Sequence, residues 1–335
     1  MADASGVRRG VVLVTGAAGF IGSHVCEALL ARGEAVVGLD NFDPFYPRAF
    51  KEHNLAAVDA AARRLGGGWS FIEADVTDPS AVAAVMASHR PEGVIHLAAK
   101  AGPRVSVHDP VGYAHANVTG TAVVMHEAAR AGCARLVAAS SSSVYGQCAL
   151  ERFPEDLPCT EPVSPYAATK RAIELLGQVH RAHTKMPTAM LRFFTVFGPR
   201  QRPDLGAALF LRRIGSGQGI DMFGDGTMAR DCTYIDDIVR GVLAAYDRIA
   251  AHGYRVWNLG GDRPVALSEL IDTVARVVGR APIITRKPMQ AGDVMRTAAD
   301  LTRSRAELGF APSVALEEGL RRQWAWMQSL PAGLR

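Results

Sequence analysis

Tyr166 and Lys170 stand four residues apart in Tyr-Ala-Ala-Thr-Lys. On a helix, residues at that spacing share one face. A free phenol has a pKa of about 10 and is a poor base near neutrality. A neighbouring ammonium favours the phenolate, so the pair can take a proton from a hydroxyl while hydride leaves the same carbon. Ser141 comes 25 residues before Tyr166, at the end of an apolar run that reads as a strand. Ligands of open α/β sheets bind beyond the carboxyl ends of strands, so a hydroxyl there can reach the same reacting oxygen. Ser141, Tyr166 and Lys170 are the candidate catalytic group.

A second set of residues reads as a cofactor site. Gly16-Ala-Ala-Gly19-Phe20-Ile21-Gly22 follows Val11–Thr15 and opens a helical stretch. Glycines let such a turn tighten and let backbone N–H groups approach a pyrophosphate, and the helix N-terminus adds positive potential. Asp40 ends the next strand-like run, 18 residues beyond Gly22. A carboxylate there accepts hydrogen bonds from an adenosine ribose and repels a 2′-phosphate, so NAD is expected rather than NADP. Asp75, at the end of the third run, is assigned near the adenine.

These residues need a scaffold. Short apolar runs recur at Val11–Thr15, Ala35–Asp40, Trp69–Ala74, Gly93–Ala98, Arg135–Ser140 and Thr188–Phe194. Apolar on both faces, they predict buried parallel strands. Amphipathic stretches alternate with them, among them Ser23–Arg32, Asn117–Ala131 and Tyr166–Thr184. The alternation predicts an α/β fold, a doubly wound parallel sheet with right-handed crossovers.

After Phe194 the pattern loosens around Pro199, Pro203, Gly215, Gly217, Gly219, Gly224 and Gly226. Helical patterns follow at Ile235–Ala251, Leu267–Gly279, Leu301–Leu308 and Leu316–Ser329, with a strand-like run at Arg255–Gly260. The expected organisation is a cofactor domain over residues 1–194, to which 231–260 return, and a smaller interleaved substrate domain from 195–230 and 261–335.

Composition narrows the classes. The chain has 335 residues, 48% of them hydrophobic, which excludes wholesale disorder. Lys and Arg exceed Asp and Glu by 37 to 33, and no basic run is interleaved with aromatics, so nucleic-acid binding is not expected. No apolar run approaches the roughly 20 residues of a membrane span. Arg8-Arg9 before an apolar run looks like a twin-arginine signal, but glycines break the run at once and none is expected. Five cysteines without CxxC spacing, and histidines without ligand spacing, fit a reducing cytoplasm and no metal site.

The order GxxGxxG, SSxxVYG, YxxxK resembles the extended short-chain dehydrogenase/reductase superfamily, and within it the nucleotide-sugar epimerases. The likeness runs over nearly the whole chain and is strongest to UDP-glucuronate 4-epimerases. Asp40-Asn-Phe-Asp-Pro-Phe-Tyr46 is similar to that group's segment after its second strand. His96–Arg104 resembles its HLAAxAGVR, with Pro103 in place of valine. Leu191–Asp204 resembles its LRYFTVYGPRQRPD. Gly224–Asp231 resembles GDGxxxRD, followed by Cys232 where phenylalanine is usual. Gly292-Asp293-Val294 resembles GDV, and Gln290 stands where galactose-type epimerases often carry arginine.

The resemblance implies a Rossmann domain with bound NAD, lined by Gly16, Gly19, Phe20, Ile21, Gly22, Asp40, Asn41, Asp75, Val76, Leu97, Ala98, Ala99, Tyr166 and Lys170. It implies that Arg104, Ser142, Ser143, Thr195 and Arg202 face the sugar, and that Arg230 and Asp293 anchor UDP. Related dehydratases carry an Asp-Glu pair at Ser142 and Ser143, and related decarboxylases a Glu at Ser143. Hydroxyls at both positions therefore point to epimerisation at carbon 4 through a transient keto sugar. A cytoplasmic homodimer, joined through a helix bundle that includes the YxxxK helix, is implied as well. The alternatives are a 4-epimerase of UDP-glucose or UDP-N-acetylglucosamine, a decarboxylase or 4,6-dehydratase, and a non-catalytic NAD-binding scaffold.

Overall fold

The computed structural model describes residues 10–289 and 294–334. The first half runs β1 (Val11–Thr15), α1 (Phe20–Ala31), β2 (Ala35–Asp40), α2 (Arg48–Leu65), β3 (Trp69–Glu73), α3 (Pro79–His89) and β4 (Gly93–His96). The short helices α4 (Pro103–Ser106) and α5 (Pro110–Ala114) follow, then a π-helical turn at His115–Thr119 that continues into α6 (Gly120–Arg130). Next come β5 (Arg135–Ser141), α7 (Pro165–Thr184), β6 (Thr188–Phe193) and β7 (Thr195–Phe197). The chain continues through α8 (Gly206–Gly215), β8 (Ile220–Phe223), β9 (Ala229–Tyr234), α9 (Ile235–Arg248) and β10 (Tyr254–Leu259). It ends with β11 (Pro264–Ala266), α10 (Leu267–Val278), β12 (Ile284–Lys287), α11 (Thr302–Leu308) and α12 (Leu316–Ser329).

Seven strands form one parallel sheet in the order β10-β6-β5-β4-β1-β2-β3. Strand alternation explains its two cores. Val12 and Val14 of β1 face one side and pack with α1 and α9, while Leu13 faces the other and packs with α3 and α6. Leu13 and Val14 are fully buried, and each such side chain stabilises the fold by about 1.5–3 kcal/mol. The chain order reverses between β1 and β4, the crevice where such sheets bind ligands.

The later segments build smaller sheets. β9 pairs with β7 in parallel and with β11 antiparallel, and β12 pairs with β8 in parallel. The expected return of residues 231–260 to the large sheet therefore begins only at Ile235. The β9 strand belongs to the three-stranded sheet, and α9 followed by β10 completes the return. The first helix starts at Phe20 rather than Ser23, because the glycine loop runs straight into it. Trp324 packs against the core, its ring lying over Gly215, which is open to it for want of a Cβ.

Candidate active site

The carboxyl ends of β1, β2, β4, β5 and β6 open on a cavity of about 1040 Å³. That is at the upper end of the roughly 300–1,000 Å³ usual for a ligand pocket. Every proposed site residue lines it except Asp293, which lies outside the described residues, as do Gln290 and Gly292.

The glycine loop shows why only glycine serves. Gly16 has φ +71°, and a Cβ there would come within 2.7 Å of the Ala98 backbone nitrogen. A Cβ on Gly22 would lie 2.0 Å from the Gly16 carbonyl oxygen. Gly19 is the N-cap of α1, and no side chain caps that helix end. Its first-turn N–H groups and its dipole are therefore available to an anion, which fits the pyrophosphate of NAD. Leu97, Ala98 and Ala99 line the cavity beside the glycine loop, and Phe20, Ile21 and Val76 add apolar surface.

Asp40 is 6% exposed and organised on every side. Its Oδ2 accepts from the Ala18 N–H at 3.2 Å, and Oδ1 accepts from the Phe42 N–H at 2.9 Å. Lys51 Nζ, equally buried, donates to Oδ1 at 3.2 Å. Asp40 thus meets the cavity as half of an ion pair, with less net charge than a lone carboxylate. Sequence reasoning missed Lys51. Its helix was legible from Val58, Ala61 and Ala62 on one face and Gly66 as a left-handed C-cap. Asn41 Nδ2 donates to Asp75 Oδ2 at 2.9 Å, and Asp75 also caps Thr77, so these two residues form one rim of the cavity.

The candidate catalytic group sits on α7 and at the end of β5. Ser164 caps α7, its Oγ accepting from the Ala167 N–H at 3.2 Å, and Pro165 occupies the first turn where no N–H is missed. Tyr166 and Lys170 therefore point inward from the first two turns. The Lys170 ammonium nitrogen lies 5.9 Å from the Tyr166 ring centroid and donates to the Ala139 carbonyl at 2.7 Å. Burial lowers the Lys170 pKa to about 7, with the Glu174 carboxylate opposing the shift. Burial raises the Tyr166 phenol, while a hydrogen bond with Ser141 and the charge of Arg202 pull it back down. Tyr113, fully buried, meets the Tyr166 ring edge-on at 6.2 Å, a neighbour that no motif signals.

Ser141 caps the 3₁₀ turn Ser142–Tyr145 by accepting from the Ser143 N–H, and its hydroxyl donates to Ser143 Oγ at 3.1 Å. The serines thus act as one hydroxyl cluster. Thr195 opens β7, exposed toward the cavity and in register with Cys232 of β9. Pro103 stands at the first turn of α4, a position that suits proline. The Arg104 guanidinium next to it lies 5.2 Å from the Phe223 ring centroid. Arg230 lies on β9 facing the same cavity. His96, by contrast, is a packed residue held between Thr15 and Thr121 hydroxyls at 2.7 and 3.0 Å. No group of three or more His, Cys, Asp or Glu suited to a metal ion occurs among the described residues.

The family model for the NAD dependent epimerase/dehydratase family matches residues 12–260. The chain belongs to that family. It is 38% identical over 319 residues to the UDP-glucuronate 4-epimerase of Thermodesulfobacterium geofontis (strain OPF15), covering 95% of this chain and 96% of that protein. Its fold matches the crystal structure of UDP-glucuronic acid 4-epimerase from Bacillus cereus in complex with UDP-glucuronic acid and NAD, with a TM-score of 0.87. That match has 32% identity and covers 95% of this chain and 99% of the other. It also matches the UDP-glucose 4-epimerase of Thermotoga maritima with UDP-glucose, at a TM-score of 0.84 and 30% identity, covering 95% and 98% of the two chains. The family's doubly wound α/β fold is the one described above.

Proposed function

We propose that this protein interconverts UDP-glucuronate and UDP-galacturonate by NAD-dependent epimerisation at carbon 4. The observation that carries the reading is the meeting, in one cavity, of Ser141, Tyr166 and Lys170 with the hydroxyls of Ser142, Ser143 and Thr195 and the guanidinium of Arg202. Its likeness to UDP-glucuronate 4-epimerases over nearly the full chain supports the same substrate.

NAD held along the glycine loop, Asp40 and the Leu97–Ala99 wall supplies the acceptor and donor of hydride at carbon 4. Tyr166 takes the proton of the 4-hydroxyl and later returns one. Ser141 hydrogen-bonds the 4-oxygen. Lys170 holds the nicotinamide ribose and, in its charged form, favours the phenolate. Between the two half-reactions the 4-keto sugar turns about its link to the diphosphate, which Arg230 anchors.

A 4-keto uronate is a β-keto acid and loses CO₂ when the carboxylate bond aligns with the carbonyl π system. Ser142, Ser143, Thr195 and Arg202 grip the carboxylate and keep that bond out of alignment. Charge-assisted bonds are the strong ones, so a guanidinium with hydroxyls is a suitable receptor. No acid at Ser142 or Ser143 is present to drive dehydration.

The division of labour follows: residues 1–194 with α9 and β10 hold the cofactor, and 195–230 with 261–335 close over the sugar nucleotide. Five unpaired thiols support a cytoplasmic setting. Leu175, Leu176 and Val179 on α7 are 49%, 36% and 56% exposed, an apolar stripe that supports a homodimer through α6 and α7.

The test is to incubate the protein separately with UDP-glucuronate, UDP-glucose and UDP-xylose and to identify products by NMR. UDP-galacturonate from the first is the expected result. Turnover of UDP-glucose alone selects a neutral-sugar epimerase, and CO₂ release selects a decarboxylase.

A further inference from the structure

Arg202 is gripped by a carboxylate of its own chain. Its Nε donates to Asp204 Oδ1 at 3.0 Å and its Nη2 donates to Oδ2 at 2.7 Å. Nη1 donates to the Ala101 carbonyl at 3.3 Å, and the guanidinium carbon lies 4.4 Å from the Phe45 ring centroid. Both side chains line the cavity, Arg202 13% exposed and Asp204 47%. The two-bond, side-on grip is the geometry in which a guanidinium receives a carboxylate of any origin.

We infer that Asp204 is an internal competitor for the uronate carboxylate and sets the selectivity of the sugar site. The inference rests on Arg202 being the carboxylate receptor of the proposed function. A uronate exchanges one carboxylate for another at Arg202, whereas a neutral hexose leaves the Arg202–Asp204 pair intact. Asp204 is half in solvent, so it turns to water when displaced and is not left buried without a partner. Phe45 and Ala101 hold the guanidinium in place during the exchange. The displaced carboxylate stays close to the incoming one and opposes it. The pair therefore subtracts from uronate affinity alone, which limits retention of both uronate substrate and uronate product. Binding substrate and product less tightly in this way favours turnover over retention.

The experiment measures binding of UDP-glucuronate and UDP-glucose to the full-length, NAD-loaded protein by calorimetry, for the wild type, Asp204→Asn, Asp204→Ala and Arg202→Ala. Both Asp204 variants should lower the Kd for UDP-glucuronate by roughly three- to tenfold and change that for UDP-glucose by less than about twofold. Unchanged or weaker UDP-glucuronate binding in both Asp204 variants, with Arg202→Ala still selectively weakening the uronate, overturns the inference. In that case Asp204 orients Arg202 and does not compete with the substrate. Equal weakening of both ligands by Arg202→Ala removes the carboxylate-receptor reading and takes the inference with it.

Discussion

Glu174 and Arg192 form a two-bond ion pair in the interior, directly behind the candidate catalytic group. Arg192 Nε donates to Glu174 Oε1 and Nη2 donates to Oε2, each at 2.8 Å, with side chains 1% and 0% exposed. Ser140 Oγ donates to the same Oε1 at 2.6 Å. Glu174 lies one turn beyond Lys170 on α7, Arg192 on β6, and Ser140 beside Ser141 on β5. One carboxylate thus locks the helix bearing Tyr166 and Lys170 onto the two strands whose ends meet them.

Removing one partner leaves the other charge buried without compensation. Glu174→Gln should destabilise the fold by about 3–5 kcal/mol, read from urea denaturation. The double change Glu174→Leu with Arg192→Met should recover much of that loss, because a buried pair is often replaceable by apolar volume. A single-variant loss below about 1 kcal/mol would show that the clamp is not tight.

Tyr166→Phe deletes the proposed base and keeps the ring against Tyr113. Turnover should fall by roughly 10²–10⁴-fold or more, while NAD retention, read from the spectrum of released cofactor, stays as in the wild type. Retained turnover would sink the proton-transfer scheme.

Gly22→Ala puts a methyl 2.0 Å from the Gly16 carbonyl oxygen, backbone against backbone. Neither side can yield without opening the loop, so the variant should lose bound NAD. Gly333→Ala, where a Cβ meets open space, should leave NAD content unchanged and serves as the control.

Two buried histidines, His24 and His96, share a pH dependence of the same sign, and His96 is the one beside the site. Burial lowers its pKa to about 3, with the Lys170 charge adding to the effect. The unfolded chain takes up this proton near pH 6.5, whereas the folded chain does so only near 3. The stabilising contribution is therefore full above pH 6.5 and is lost as pH falls toward 3. Between pH 6.5 and 5 the loss is roughly 2 kcal/mol. Urea denaturation at the two values should show a loss smaller by about that amount in His96→Gln than in the wild type, the share of His24 remaining in both. Equal slopes in the two proteins would remove His96 as a source.

The glycine loop, the strand ends at Thr15, Asp40 and Ser141, and the Tyr166–Lys170 face were all legible in the sequence, because each depends on neighbours a few residues away. Backbone freedom, side-chain alternation and the helical repeat are local properties, and the order of strands and helices then leaves few ways to wind the sheet. The π-helical turn was not legible. It brings Asn117 to bond both the Lys100 backbone and Thr169, at 2.8 to 3.0 Å, and no pattern in Asn117–Ala131 announces it. β7, β8, β11 and β12 are three or four residues long, too short for their periodicity to stand out.

By itself, then, the sequence determined which residues could bind a dinucleotide and move a proton, and on which element each would sit. Tertiary structure alone decided what surrounds them: Lys51 against Asp40, Glu174 against Arg192, and Phe45 and Ala101 around the Arg202–Asp204 pair. Those relationships set charge, exposure and reach. They depend on how distant elements pack and on how far each side chain leaves water, and no local spacing of residue types encodes either.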